Sequence, residues 1–209
     1  MNRFTEPLQA CKGSYSGARA PALCRFARAL VPIPEVSALR PRPPVPALGF
    51  DHDLDRDELR ALVAELAADP GAWRPHVRLD AERRGYEQLW RDGHADIWVI
   101  SWMHGHDTGF HDHDVSRGAV AVVAGGIVEE RLVLLGGVLE RRHATGDVFD
   151  FDASHVHRMR KDDDRPCVTI HAYSPPLWRM GAYAAGPDGT LRRTSISYAE
   201  ELRPVDVAA

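Results

Sequence analysis

A series of short strand-like runs, separated by turn signals, occupies residues 96–174 and limits the folds open to this chain. Gly125-Gly126 and Gly136-Gly137 predict hairpin turns between consecutive runs. No helical segment lies between the runs, and this pattern favours an antiparallel sandwich or barrel. We therefore predict an all-β fold. The predicted strands are residues 96–103, 118–124, 127–135, 138–142, 147–151, 156–160 and 167–174.

The segments around these strands divide the chain into four predicted parts. Residues 1–48 are rich in Pro and Arg, and we expect an irregular linker or strap there rather than a ligand for an SH3-type domain. Residues 49–72 predict one amphipathic helix packed on the body of the protein, because Leu59, Leu62, Val63 and Leu66 recur at helical spacing. Residues 73–190 form the predicted barrel, and residues 191–209 a C-terminal tail.

Composition excludes several classes of protein. Lys and Arg total 26 against 30 Asp and Glu, a net charge of -4, which argues against a nucleic-acid surface. No apolar run approaches the roughly 20 residues that span a bilayer, and no signal-peptide pattern is present. Three scattered cysteines predict no disulfide framework. We expect a cytoplasmic monomer or homodimer that binds neither nucleic acid nor membrane.

Histidines are concentrated in one part of the chain. Most of the 11 lie between His94 and His171. In the stretch Gly105-x5-His111-x-His113, the two histidines would lie on the same face of a strand, because side chains two residues apart point the same way. Two such imidazoles can hold one metal ion but need a third ligand. Nitrogen ligands suit zinc, copper, iron or nickel, so they do not identify the metal.

The spacing of these residues resembles the signature of the cupins, a family of small β-barrels. That signature places a Glu ligand where this chain has Gly118, and its closing Gly corresponds to Gly125. Its second half, counted from Gly146, selects His157 rather than His155 as the third ligand. The resemblance implies a cupin barrel with the N-terminal helix packed on it. The metal ligands that it implies are His111, His113 and His157.

Other polar residues near the motif have simpler interpretations. Four histidines are expected at the surface, as histidines in strands often are: His104, His106, His143 and His155. Three acids are candidates to hydrogen bond the ligand imidazoles, although solvation is the alternative: Asp107, Asp112 and Asp114.

The missing carboxylate affects the chemistry of the predicted site. Non-haem iron oxygenases usually present two histidines and one carboxylate. A third neutral imidazole raises the charge of the site, which then favours an anionic substrate ligand such as a thiolate. Three protein ligands also leave three open octahedral positions, enough for a bidentate substrate and O2.

Three stretches together resemble the cysteine dioxygenase type I family of cupin thiol dioxygenases. They are Trp102-x2-Gly105-x5-His111-Asp112-His113, then Val156-His157-Arg158, and then Thr-Ile-His-Ala-Tyr-Ser-Pro-Pro at 169–176. The resemblance covers about residues 73–183. It implies a mononuclear Fe(II) enzyme that adds both atoms of O2 to a thiol sulfur and so forms a sulfinate.

The resemblance also implies catalytic residues. A Ser-x-His-x-Tyr strand orders the site in that family, and Thr169, His171 and Tyr173 match it here. Alternation places the three on one face of a strand, so a hydrogen-bond relay would end at the Tyr173 hydroxyl near the iron. Some members join a Cys to this Tyr through a thioether. The Cys position falls on Gly118 here, so no such crosslink can form.

The resemblance also implies substrate contacts. Cysteine-selective members hold the substrate carboxylate with the Arg of a Tyr-x-Arg stretch, which corresponds here to Tyr86-Glu87-Gln88. The neutral amide of Gln88 replaces the charged, planar guanidinium of that Arg. A Gln at this position resembles the 3-mercaptopropionate dioxygenase subgroup. The substrate contacts implied are Gln88, Tyr86 and Trp102. Cations that could replace the missing Arg are Arg84, Arg117 and Arg179.

The leading functional prediction is an Fe(II)-dependent thiol dioxygenase with O2 as co-substrate. Its substrate would be cysteine or a related thiol carboxylate such as 3-mercaptopropionate. A cupin oxygenase or isomerase acting on a specialised metabolite is the alternative enzyme. A non-catalytic cupin that binds a small molecule is the alternative outside enzymes, and the conjunction of three ligand histidines with the Thr-His-Tyr strand argues against it.

Overall fold

A computed structural model of the chain describes residues 48–133, 137–188 and 190–197. Except for residue 48, the predicted N-terminal extension lies outside the described residues, as does the end of the predicted tail after residue 197. No helix within the described residues is long and apolar enough to cross a membrane.

The predicted helix is present and begins later than expected. Helix α1 spans Arg56–Ala68 and starts with a capping box, in which the Asp55 carboxylate accepts from the Glu58 amide and the Glu58 carboxylate accepts from the Asp55 amide. Helix α2 follows at Pro70–Trp73, with Asp69 as its cap, and a 3-10 turn covers Arg74–His76. The buried residues of α1 are the four predicted ones: Leu59, Leu62, Val63 and Leu66.

Two antiparallel sheets form the body of the described chain. The five-stranded sheet has the order β1-β2-β9-β4-β7, and the six-stranded sheet has the order β11-β10-β3-β8-β5-β6. The predicted all-β cupin fold with a helix packed on it is confirmed. The strands are β1 (Gly85–Arg91), β2 (Asp96–Trp102), β3 (Phe110–Asp112), β4 (Arg117–Ala124), β5 (Gly126–Leu132), β6 (Val138–Ala144), β7 (Val148–Phe151), β8 (His157–Arg160), β9 (Cys167–Ser174), β10 (Arg179–Ala185) and β11 (Leu191–Ser197).

Strand β9 shows how alternation separates the core from the site. Val168, Ile170 and Ala172 join the hydrophobic cluster beneath α1, while Cys167 and Tyr173 join a second cluster between the two sheets. Because successive side chains of a strand point to opposite faces, Thr169 and His171 also face the space between the sheets. The strand is therefore buried on both faces.

Two expectations about the strands are wrong. Gly125-Gly126 is not a hairpin turn, because β4 pairs with β7 and β9 whereas β5 pairs with β6 and β8. The chain instead passes from one sheet to the other, with Gly125 at φ 71° and its α-carbon so close to Pro166 that a Cβ would lie 2.3 Å from the carbonyl oxygen. Strand β11 pairs with β10 along its length, so the sheet extends past residue 190, where the barrel was expected to end.

Candidate active site

The three predicted metal ligands converge between the sheets. His111 is on β3 and pairs across strands with His157 on β8, and His113 follows directly after β3. The ring centroid of His111 lies 4.7 Å from that of His157 and 4.9 Å from that of His113. Ligand nitrogens of the three residues all lie within 4.8 Å of one another, and all three side chains are buried. This geometry could hold one metal ion.

Hydrogen bonds behind the rings determine which nitrogens face inward. Nδ1–H of His111 donates to the Gly109 carbonyl at 3.1 Å, and Nδ1–H of His157 donates to the Glu129 carboxylate at 2.8 Å. Both partners accept only, so Nε2 is the nitrogen of each ring that can bind a metal. The Nδ1 atom of His113 is buried without a hydrogen-bond partner.

The protonation state of the ligand rings also suits a cation. Burial lowers the pKa of His113 well below its usual value, and burial lowers that of His157 to about 3 despite the nearby Glu129 carboxylate. Both imidazoles are therefore neutral near pH 7, so no proton has to leave before a metal binds. Three neutral nitrogens facing one point fit a divalent transition metal.

The acid behind the three candidate ligands is Glu129, which was not among the predicted residues. It accepts hydrogen bonds from His157 and from two histidines that were expected at the surface, His143 at 3.1 Å and His155 at 2.9 Å. Both of those histidines are in fact buried. Burial alone would raise the pKa of Glu129, but the hydrogen bonds from the three histidines outweigh it and lower that pKa below its usual value.

The three predicted acids have other partners. Asp112 accepts from the Arg193 guanidinium at 2.7 and 2.9 Å and from the Tyr183 hydroxyl at 2.7 Å, and so joins β3 to β10 and β11. Asp114 pairs with Arg179 at 3.1 Å. Asp107 pairs with Arg158 and accepts from the Gly109 amide, next to the carbonyl that holds His111. The partners described for these three acids are therefore Arg side chains, the Tyr183 hydroxyl and the Gly109 amide, and not the ligand imidazoles.

Phe151 occupies the space where the cupin signature has its carboxylate. Gly118 lies between two cross-strand partners, Tyr173 on β9 and Phe151 on β7. A Cβ at Gly118 would lie 2.4 Å from Cζ of Phe151. The Phe151 ring in turn stacks on His113 with centroids 4.5 Å apart. An acidic side chain at residue 118 would therefore displace the ring that supports a ligand.

This crowding gives a stability prediction. Gly118→Ala should destabilise the fold by about 1–3 kcal/mol, the usual cost of overpacking a well-packed core. Gly93→Ala is the matched control, because nothing lies within 4 Å of the position of its Cβ. Urea unfolding followed by circular dichroism measures both variants. Adding Phe151→Leu to Gly118→Ala should recover part of the loss; an unchanged midpoint for Gly118→Ala alone would contradict the crowding.

The predicted Thr-His-Tyr relay is connected by hydrogen bonds, and it has one additional member, Trp102, before Thr169. Indole N–H of Trp102 donates to Thr169 Oγ1 at 2.8 Å, and Thr169 Oγ1 lies 2.8 Å from Nε2 of His171. Nδ1 of His171 lies 3.1 Å from the Tyr173 hydroxyl. Burial lowers the pKa of His171 to about 3, so the ring is neutral and has one N–H.

The indole sets the direction of this relay. Trp102 can only donate, so Thr169 accepts from it and has its own proton available for Nε2 of His171. With that bond made, the single N–H of His171 is on Nδ1 and donates to the Tyr173 oxygen. In this arrangement the hydroxyl proton of Tyr173 is not directed at His171. Trp102 therefore belongs to the relay and also lines the cavity.

The cavity beside the histidines has apolar walls and one cation. The space between its walls, counted together with the open mouth, is about 500 Å³. Arg84 lines it, is only 7% exposed, and has its guanidinium carbon 5.5 Å from the centroid of the Trp102 ring. The lining residues are Arg84, Trp98, Ile100, Trp102, Thr108, His111, His157, Met159, His171, Tyr173, Leu177 and Met180.

The other predicted substrate contacts do not line this cavity. Tyr86 and Gln88 pair with Ile100 and Trp98, so they share the inner face of the sheet, but they lie on its edge strand β1. The Gln88 amide donates to the buried Asp96 carboxylate at 2.9 Å. Their predicted direct contact with substrate in the cavity is not supported by its described lining.

Of the three candidate cations, only Arg84 lines this cavity. Arg117 lines a different, shallow surface depression together with Asp150. Arg179 is paired with Asp114, and its side chain is 68% exposed.

Comparison with known proteins places this site in a family. The cysteine dioxygenase type I family matches residues 48–185, whereas no curated protein sequence matches the chain. Similar solved structures include one from Bacillus halodurans (22% identity, 56% of this chain and 81% of that chain, TM-score 0.42). A second is a cupin superfamily protein from Desulfitobacterium hafniense (10% identity, 49% of this chain and 87% of that chain, TM-score 0.43). A third is a Klebsiella pneumoniae protein with a double-stranded β-helix domain (16% identity, 49% of this chain and 80% of that chain, TM-score 0.44).

The family match covers most of the chain and includes the histidines, the relay and Arg84. The chain belongs to the cysteine dioxygenase type I family.

Proposed function

We propose that the protein is an Fe(II)-dependent thiol dioxygenase that converts a short thiol carboxylate to its sulfinic acid. Membership of the family implies a dioxygenase in general. The observation that carries the finer proposal is the conjunction, in one cavity, of two ligand histidines, the Tyr173 relay and the buried cation Arg84. Cysteine and 3-mercaptopropionate both have the thiol and the carboxylate that this arrangement can recognise.

The metal would be held by His111, His113 and His157. Iron(II), when bound there, supplies the redox chemistry that allows O2 to react with a thiolate. The three neutral imidazoles would bring no negative charge into direct contact with the cation, and this favours binding of the substrate as an anion. In the overall reaction the sulfur gains both oxygen atoms and is oxidised by four electrons, while O2 is reduced.

The remaining residues would bind and orient the substrate. Arg84 offers a planar guanidinium to the carboxylate, in surroundings where Trp98, Ile100 and Met180 exclude water. Tyr173 would donate its hydroxyl proton to an oxygen or sulfur atom that becomes negative during the reaction. The Trp102–Thr169–His171 relay would keep that proton directed away from His171.

A thiol panel tests the proposed activity. Iron-reconstituted protein is incubated with cysteine, cysteamine, homocysteine or 3-mercaptopropionate, while O2 uptake is measured and the product is identified by mass spectrometry. We expect one O2 consumed per thiol and a sulfinate product. Iron-loaded protein that consumes no O2 with any of the four thiols would refute the proposal and favour a cupin that acts on another metabolite or only binds one.

Arg84 gives a prediction on substrate selectivity. Arg84→Gln should raise KM for 3-mercaptopropionate and cysteine by about 10–100-fold, because a hydrogen bond to a charged group contributes about 1.5–3 kcal/mol. Turnover of cysteamine, which has no carboxylate, should change much less. The matched control is Arg83→Gln, since the adjacent Arg83 side chain is 67% exposed. An equal rise in KM for thiols with and without a carboxylate would show that Arg84 does not bind the carboxylate.

A further inference from the structure

A buried carboxylate lies directly behind the metal centre. Glu129 is on β5, and its Oε1 accepts from Nδ1–H of His157 at 2.8 Å. This bond fixes the tautomer of His157, because a carboxylate has no proton to donate in return. It also fixes the orientation of the ring, since the N–H must point along one direction. A metal ligand held in this way binds with its Nε2 already in place.

Two further histidines hold Glu129 itself. Nε2–H of His155 donates to Oε1 at 2.9 Å, and Nε2–H of His143 donates to Oε2 at 3.1 Å. The His143 ring stacks on Phe149 with centroids 4.0 Å apart, and the His155 ring stacks on Phe151 at 5.4 Å. Both carboxylate oxygens therefore face donors that β7 holds in fixed positions.

The position of Glu129 also bears on the charge of the site. Three imidazoles bring no negative charge to a divalent metal, and Phe151 closes the place at Gly118 where the cupin signature has a carboxylate. Glu129 lies one hydrogen bond further out, and its charge acts on the metal through the His157 imidazole, whose basicity it raises.

We propose that Glu129 is a positioning residue for the metal centre. It orients His157 and supplies the anionic charge that the three-histidine ligand set lacks, and His143 and His155 hold its carboxylate in place. This inference rests on the metal site of the proposed function but not on the oxidation of thiols.

Cobalt(II) titration of the metal-free protein tests this role. Glu129→Gln should weaken cobalt affinity by about 10–100-fold, the usual effect of removing the partner behind a metal ligand, and should change the visible absorption of bound cobalt. Glu130→Gln is the matched control. Its carboxylate is on the next residue of β5 and pairs with Arg158 and Arg160 instead. We expect wild-type cobalt affinity for this control.

Nitrogen-15 NMR of the metal-free protein gives a second readout. His157 should be the Nδ1–H tautomer in the wild type and a mixture of tautomers in Glu129→Gln. His143→Leu is the variant to use if Glu129→Gln does not fold, because it keeps the bond between Glu129 and His157 but removes the donor to Oε2. It should lower cobalt affinity by a smaller factor and leave the tautomer unchanged.

Three results would overturn the inference. The first is wild-type cobalt affinity in folded Glu129→Gln, and the second is an Nε2–H tautomer of His157 in the wild type. The third is a second cobalt ion per chain that His143→Leu removes, which would show that Glu129 and its histidine partners bind metal themselves. A wild-type protein that binds one cobalt ion at the three histidines but oxidises no thiol would refute the proposed function and leave the positioning role intact.

Discussion

Replacing His111 by alanine is expected to abolish both metal binding and thiol-dependent O2 uptake. The substitution leaves His113 and His157 as the ligands, their ring centroids 5.1 Å apart, and two imidazoles rarely suffice to hold a metal. Among the described residues no acid joins both His113 and His157 in one group of possible ligands, and Glu129 is hydrogen bonded behind His157. The loss of affinity should therefore exceed the roughly 10–100-fold expected for residues behind the ligands.

Iron per chain after anaerobic reconstitution, together with O2 uptake on the thiol panel, measures this effect. His104→Ala is the matched control, since the His104 side chain is 62% exposed and lies 3.8 Å from Asp164. We expect full iron content and activity for this control. A His111→Ala protein that retained one tightly bound iron and wild-type turnover would show that the three histidines are not the ligand set.

Much of this site could be predicted because its residues follow local rules. His111 and His113 share a face because they are two residues apart, and the same alternation places Thr169, His171 and Tyr173 together on β9. The spacing from Gly146 selected His157 over His155, and the structure places His157 opposite His111. Strand β9 was predicted with both ends correct, since an apolar run between polar turns defines it.

The hydrogen bonds of Glu129 could not be predicted from such local rules. Glu129 shares a strand face with the buried Ile127, so alternation could have identified it as an acid that points inward. Its partners come from two separate segments of the chain, and only the pairing of β5 with β6 and β8 brings them together. Histidines 143 and 155 were expected at the surface for the same reason. Pairing between distant strands has no signal in a single sequence.

The predicted substrate contacts differ from the described cavity lining for a geometric reason. Motif position assigned the contact to Gln88, but β1 is an edge strand with a register shift between Gln88 and Trp90, and Gln88 bonds to Asp96. The cation that reaches the cavity is Arg84, which precedes the strand. Residues in loops before a strand have no alternation to fix their direction, so the sequence left Arg84, Arg117 and Arg179 as equals.

The second large effect is expected at Tyr173. Tyr173→Phe should lower kcat by about 10²–10⁴-fold, the usual contribution of a positioned proton donor, while iron content stays at the wild-type level. The ring keeps its packing, so only the hydroxyl is lost. Steady-state O2 uptake with the best thiol of the panel measures kcat, and iron analysis shows that the metal centre is intact.

The relay behind Tyr173 allows a matched pair of variants. Thr169→Ser keeps the hydroxyl between Trp102 and His171 and should remain close to wild type, whereas Thr169→Val has the same shape without it. In Thr169→Val, Nε2 of His171 loses its donor, and the proton of Tyr173 can turn from the cavity towards His171. We expect kcat to fall in Thr169→Val with iron content unchanged. Equal rates for the Ser and Val variants would mean that the direction of the relay has no part in catalysis, and that Tyr173 acts through its own position alone.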